Sequence, residues 1–199
     1  MSSLVRRLRR HCETKETFKK YLTNAIFRKS KTIFVPDNPY IQIDDCESIG
    51  NYPIHYYYSF DISNIKCVIL SNSIVEIDKK AFLNCMELKS INIPKGVKSI
   101  KDSAFGYCHK LRYINIPFGV ESIGESAFYK CQSLTSVYIP ESVKTIGYNA
   151  FCKCNNLLSV NIPSKLEIIQ VNTFKDCEKL TSIQIPDSVR IIDYQAFEN

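Results

Sequence analysis

Apolar residues recur along most of the chain with a period that no single helix or strand produces. In the stretch AFGYCHKLRYINIPFGV the repeated positions are Ala104, Phe105, Cys108, Leu111, Ile114, Ile116 and Val120. The same order returns every 23 residues without insertion. Phe82, Phe105, Phe128, Phe151, Phe174 and Phe197 keep that step, and so do Cys85, Cys108, Cys131, Cys154 and Cys177. Leu88, Leu111, Leu134, Leu157 and Leu180 form a third series. A constant step of this size means that each unit is one turn of a solenoid. Such a unit can bury its apolar face only by stacking on its neighbours.

Within a unit the pattern predicts its own path. Leu88, Ile91 and Ile93 have strand spacing, and the last two alternate with a polar residue, so they share a face. Pro94 ends the strand because it cannot donate to a ladder, and Gly96 assists the turn. Val97 and Ile100 bring the chain back to the core. Ala104 and Phe105 are expected on a short helical or 3₁₀ turn on the opposite side, with Cys108 closing the layer. Stacked strands about 4.8 Å apart would form a parallel sheet, which gives an α/β fold class. About six such rungs fill residues 61–199, the last incomplete at Asn199. The first is degenerate, with Ile62 for the Cys, Ile65 for the Leu, Val68 and Leu70 as strand positions, and Ser71 for the proline.

Residues 1–60 do not share the period. Phe18, Tyr21, Leu22, Ala25 and Ile26 predict an amphipathic helix over 14–29, and Leu4, Val5 and Leu8 a shorter one ending near Cys12. A β-like run at Ile33–Val35 is stopped by Pro36, Ile41 and Ile43 alternate with polar residues, and an aromatic run follows at Tyr56–Tyr58. A solenoid exposes its first core layer unless something covers it, so this segment is expected to be a small cap.

Charge and cysteine content change the picture in two places. The net charge is +6, but residues 1–31 alone carry ten Lys and Arg against two acids, which leaves the rest slightly negative. Nine cysteines would suggest a disulfide framework in a short secreted chain. Five of them fall at one repeat position, where they would form an internal column and act as small buried hydrophobes. Side chains in such a line point the same way, which suits neither a disulfide nor a tetrahedral zinc site. Cys152 is expected at the surface. No apolar run long enough for a membrane span, no secretory signal and no N-x-S/T sequon occurs, so the expectation is a cytoplasmic chain.

The unit AFxxCxxLxSIxIPxxVxxI resembles the leucine-rich repeat of the BspA-like family, and the resemblance covers residues 61–199. It implies a leucine-rich-repeat solenoid and an adhesion or protein-interaction scaffold, without a cofactor and displayed at the surface in many members. The asparagine ladder of other leucine-rich repeats is missing; Gly96, Gly119 and Ser142 stand near its place.

Specificity can sit only in the variable positions. Asn92, Asn115, Tyr138, Asn161 and Gln184 occupy the I-x-I gap, and Ser90, Tyr113, Ser136, Ser159 and Ser182 the position before it. Together they predict two polar columns on the sheet face, with Tyr113 and Tyr138 as diagonal neighbours and Phe118 variable beside them. Hydroxyls, amides and Tyr anchors suit a protein partner, although an ordinary solvated face has the same composition. The alternative is a polyanion, either nucleic acid or an anionic membrane, bound by Arg6, Arg7, Arg9 and Arg10. Self-association through an uncapped last rung is a third expectation. Lys98, Glu121, Lys144, Glu167 and Arg190 alternate in sign at one position and predict a cross-rung charge ladder. Catalysis finds no motif. His11, His55 and His109 lack a partner at recognised spacing, and no phosphate loop, GxSxG or HExxH is present.

Overall fold

A computed structural model of the chain describes residues 40–43, 48–49, 66–70, 72 and 74–199. Every strand in it is parallel to its neighbours, as one-directional coiling requires. One sheet has six strands: β1 (Tyr40–Ile43), β3 (Cys67–Leu70), β5 (Ser90–Asn92), β7 (Tyr113–Asn115), β9 (Ser136–Tyr138) and β11 (Ser159–Val160). A second has five: β2 (Ser48–Ile49), β4 (Glu76–Ile77), β6 (Ser99–Ile100), β8 (Ser122–Ile123) and β10 (Thr145–Ile146). The last two rungs pair β12 (Ile168–Ile169) with β13 (Ile191–Ile192). From β3 onward the register keeps the period, with Cys67 opposite Ser90 and Tyr113 opposite Ser136.

The repeated apolar positions point inward along most of the stack, whereas Ile185 and Ile192 on the last rung are exposed. Val97, Val120 and Val143 are buried with Ile100, Ile123 and Ile146, beside the Leu and Phe columns. Consecutive Phe rings from Phe82 to Phe197 stack nearly parallel, with centroids 5.1–5.5 Å apart and interplanar angles of 3–11°. The Cys column lies beside the rings. Cys108, Cys131, Cys154 and Cys177 each donate a thiol hydrogen bond of 3.2–3.3 Å to the carbonyl of Phe82, Phe105, Phe128 and Phe151 respectively. A thiol is small enough for this layer and satisfies a buried carbonyl that an alanine would leave with one bond fewer. Thr173 replaces the usual Ala of its column and remains buried because its hydroxyl donates to Gln170 O at 2.7 Å.

Two expectations change here. The segment around Ala104 and Phe105 is a chain of tight turns, and no helix occurs among the described residues. Its amides alternate in direction. Ala81, Leu83 and Cys85 N–H donate three residues back, to Asp78, Lys80 and Phe82, whereas Lys80, Phe82 and Asn84 N–H donate to Asp102, Ala104 and Gly106 of the next rung. A helix would keep every one of those bonds inside its own turn. The alternation instead needs left-handed residues four apart, found at Lys80 and Asn84, Ser103 and Tyr107, and Ser126 and Lys130. The turns are therefore a third hydrogen-bonded wall.

The second change concerns the start of the solenoid. β1 and β2 lie inside the segment expected to be the cap, and β1 pairs with β3, Tyr40 facing Cys67. That step is 27 residues and the step from Ser48 to Glu76 is 28, so this rung escapes a search for a 23-residue period. The amphipathic helix and the arginines at 6, 7, 9 and 10 lie outside the described residues.

Rungs approach closely at the glycines beside the second sheet. A Cβ on Gly147 would stand 2.6 Å from the Glu125 amide nitrogen and 2.7 Å from the Gly124 carbonyl carbon. Gln170 occupies the same position one rung on. Gly147→Val is expected to lower stability by about 1–3 kcal/mol, since backbone must move to admit the side chain. Gln170→Val should cost clearly less, and equal costs in paired urea unfolding curves would show that close approach is not the reason for the glycine.

Candidate protein-binding face

The outward side of the six-stranded sheet carries the predicted columns. β7 and β9 each alternate exposed, buried, exposed, so Ile114 and Val137 anchor the strands while their neighbours face out. Tyr113 is 62% exposed and Tyr138 64%. Tyr113 lies opposite Ser136 and Asn115 opposite Tyr138, so the two tyrosines are diagonal on adjacent rungs, as the pattern predicts. Asn92 lies opposite Asn115, and both are exposed. Phe118, just past Pro117 on the Tyr113 rung, is 78% exposed. Gln184 is exposed on the last rung, where no strand continues the sheet.

Asn161 behaves differently from the rest of its column. It is half-buried; its Nδ2 donates to Ile139 O and its Oδ1 accepts from Ile139 N–H, both at 2.7 Å. β11 ends at Val160, and the amide side chain continues the rung-to-rung bonding that backbone no longer supplies. Ser142 plays a similar part by accepting from Gly119 N–H at 3.0 Å and donating to Val120 O at 2.7 Å. Both residues do locally what an asparagine ladder does in other repeats, and both are spent in doing so.

Sequence reasoning missed Leu158, an exposed apolar residue immediately before β11. The signal for it was a leucine at a repeat position that other rungs fill with Lys89, Arg112, Thr135 and Thr181. Cys152 is corrected from surface to interior, with only 3% exposure. The adjacent rungs carry the much longer Tyr129 and Lys175 at its position, and they shade the short side chain. Burial, followed by the Asp176 charge, raises its thiol pKa.

The charge ladder is realised at its centre. Lys144 Nζ lies 2.8 Å from Glu121 Oε2; that hydrogen bond and the Lys144 charge, with a further contribution from Lys98, hold the Glu121 carboxyl below its ordinary range. Glu121 N–H donates to Lys98 O and Lys144 N–H to Glu121 O, which fixes the register along this column.

Burial and the neighbouring thiols of Cys85 and Cys131 push the Cys108 thiol well up, and its proton is given to Phe82 O, so it is no thiolate partner for His109. Among the described residues no group of three or more His, Cys, Asp and Glu is placed to hold a metal ion. No helix among them is long and apolar enough to cross a membrane. The last rung leaves a recess of about 210 Å³ lined by Phe174, Cys177, Leu180, Ile183 and Phe197, at the place where self-association was expected.

Parallel rungs with Phe, Cys and Leu columns inside and a polar sheet face outside define a leucine-rich-repeat solenoid. The chain belongs to the BspA type leucine rich repeat family, whose description fits residues 40–131 and 75–199 in six copies. A leucine-rich-repeat protein of T. pallidum (TpLRR) superposes with a TM-score of 0.66 at 26% identity, covering 85% of this chain and 84% of that one. A leucine-rich-repeat protein from Bacteroides ovatus gives 0.68 at 26% identity and covers 88% of this chain but 50% of its own. One from Eubacterium ventriosum, 18% identical, gives 0.57 over 87% of this chain and 62% of that one, and shares the fold. A search of curated protein sequences finds no match.

Proposed function

We propose that this chain is a non-catalytic scaffold that binds a protein partner through the outward face of its six-stranded sheet. The observation that carries the reading is the pair Tyr113 and Tyr138, exposed and diagonal on rigid adjacent strands. The backbone under each ring is held by a ladder whose intervening residues are buried, so only the two side-chain torsions of each tyrosine remain to be ordered on binding. Asn92 and Asn115 add hydrogen-bonding amides beside the rings, and Phe118 adds apolar area. Asn161 is excluded because its amide is already spent on Ile139. Membership of the BspA-type family supports a scaffold role.

The test compares proteins captured by the immobilised wild type with those captured by Tyr113→Ala/Tyr138→Ala. Tyr194→Ala, which removes an exposed tyrosine from the turn side, serves as control. The double variant is expected to lose partner affinity by at least about tenfold, as for interface anchors, while the control keeps it. Equal recovery by all three forms would remove the face as the binding site.

A further inference from the structure

The position immediately before each strand of the six-stranded sheet carries Lys66, Lys89 and Arg112 on three consecutive rungs. Rung-to-rung bonds place them in one column: Lys89 N–H donates to Lys66 O at 3.1 Å and Arg112 N–H to Lys89 O at 3.2 Å. All three are exposed, on rungs about 4.8 Å apart. Like charges stacked so closely repel, and the column at Lys98, Glu121 and Lys144 avoids this by alternating sign. This column does not alternate. Among the described residues the acid beside it is Glu87, and Lys110 already holds that carboxylate at 2.7 Å. Its pKa is lowered first by the Lys110 hydrogen bond, then by the charges of Lys110, Lys66 and Lys89. Three cations, Lys110, Lys66 and Lys89, thus act on one paired carboxylate.

Resting on the protein-binding reading above, we propose that this basic edge receives an acidic, extended segment of the protein partner, laid along the stack from Lys66 to Arg112. Carboxylates on the segment neutralise a column that has no acid of its own. Asn92 and Asn115 lie three residues beyond Lys89 and Arg112 on the same rungs, where their amides can bond a peptide backbone, and Tyr113 follows Arg112 directly. Beyond Arg112 the column becomes neutral at Thr135 and apolar at the exposed Leu158. The segment is therefore acidic at one end and apolar at the other. Three cations in a line, ending in an apolar residue, fit such a peptide better than the broad basic surface that nucleic acid or a membrane requires.

The probe is a fluorescent peptide rich in Glu and Asp with Leu at one end, titrated against the full chain and followed by anisotropy. Binding is expected to weaken as salt rises from low to physiological strength. Lys89→Glu/Arg112→Glu is expected to weaken it by at least about tenfold, the neutral Lys89→Gln/Arg112→Gln by less, and Lys179→Glu on a distant rung by less than about twofold. Matching circular dichroism and melting temperatures show that the variants are folded. Unchanged affinity in the charge-reversed variant overturns the proposal. So does tighter binding to heparin or to phosphatidylserine vesicles than to the peptide, which would assign the edge to a polysaccharide or to a membrane. The two readings fail separately. If partner capture depends on Tyr113 and Tyr138 but not on Lys89 and Arg112, protein binding stands and the acidic segment falls.

Discussion

Phe128→Ala is expected to lower the stability of the solenoid by about 3–5 kcal/mol, the upper range for removing an aromatic ring from a core. The ring lies between Phe105 and Phe151 at 5.4 and 5.1 Å, nearly parallel to both, so its removal leaves two faces without a partner. Collapse into the gap is opposed by the backbone on each side. Phe128 N–H donates to Ala150 O at 2.8 Å, and Phe128 O accepts both the Cys131 amide and the Cys154 thiol. Those bonds hold the rungs at their spacing whether or not the ring is there. Because a solenoid is stabilised by nearest-neighbour interfaces, the loss falls on one junction, and the two halves should begin to unfold separately. Urea unfolding followed by circular dichroism is expected to broaden, with a lower apparent m-value as well as a lower midpoint. Phe197→Ala provides the contrast, because that ring has a stacking partner on one side and is only partly buried. A Phe128→Ala cost no larger than that of Phe197→Ala would mean that the stack is not a principal source of cohesion.

Most of the architecture was readable because a solenoid writes its core once per turn. Phe105, Cys108, Leu111, Ile114 and Ile116 are buried as their recurrence predicts. The second sheet was only half legible. Val97 and Ile100 pointed to the core, but a two-residue strand such as β6 has no alternation to display. The turn side was misread because Ala and Phe suit a helix, whereas the path is decided by left-handed backbone at Ser103 and Tyr107, and neither residue advertises it. Asn161 and Ser142 show the same limit from the other side. Asn161 falls in the outward polar column and Ser142 near the place of an asparagine ladder, and only the neighbouring rung reveals what each bonds. The binding face was legible as a pair of columns, since exposure follows from strand alternation. The basic edge was visible residue by residue but gained meaning only when Lys66, Lys89 and Arg112 were seen stacked without an acid between them.

The buried thiols should make the fold sensitive to alkali. Burial pushes Cys85 from 9.0 to about 12, and burial likewise pushes Cys177 from 9.0 to about 12. Below pH 9 the folded and unfolded chains both keep these protons, and the thiols impose no pH dependence. From pH 9 to about 12 the unfolded chain releases them while the folded chain holds them, so stability falls as pH rises. Each fully buried thiol contributes a slope of about 1.4 kcal/mol per pH unit in that window. Lysine and tyrosine titrate over the same range, so the informative quantity is the difference between the wild type and Cys85→Ala. At pH 8 the variant is the less stable of the two, because it loses packing. Its stability should then decline less steeply, by about 1.4 kcal/mol per pH unit, and the gap should narrow as pH rises. Urea midpoints measured at intervals from pH 8 to pH 11 give both curves. Parallel curves would mean that the folded chain releases the Cys85 proton as readily as the unfolded one, which a thiol enclosed in the column cannot do.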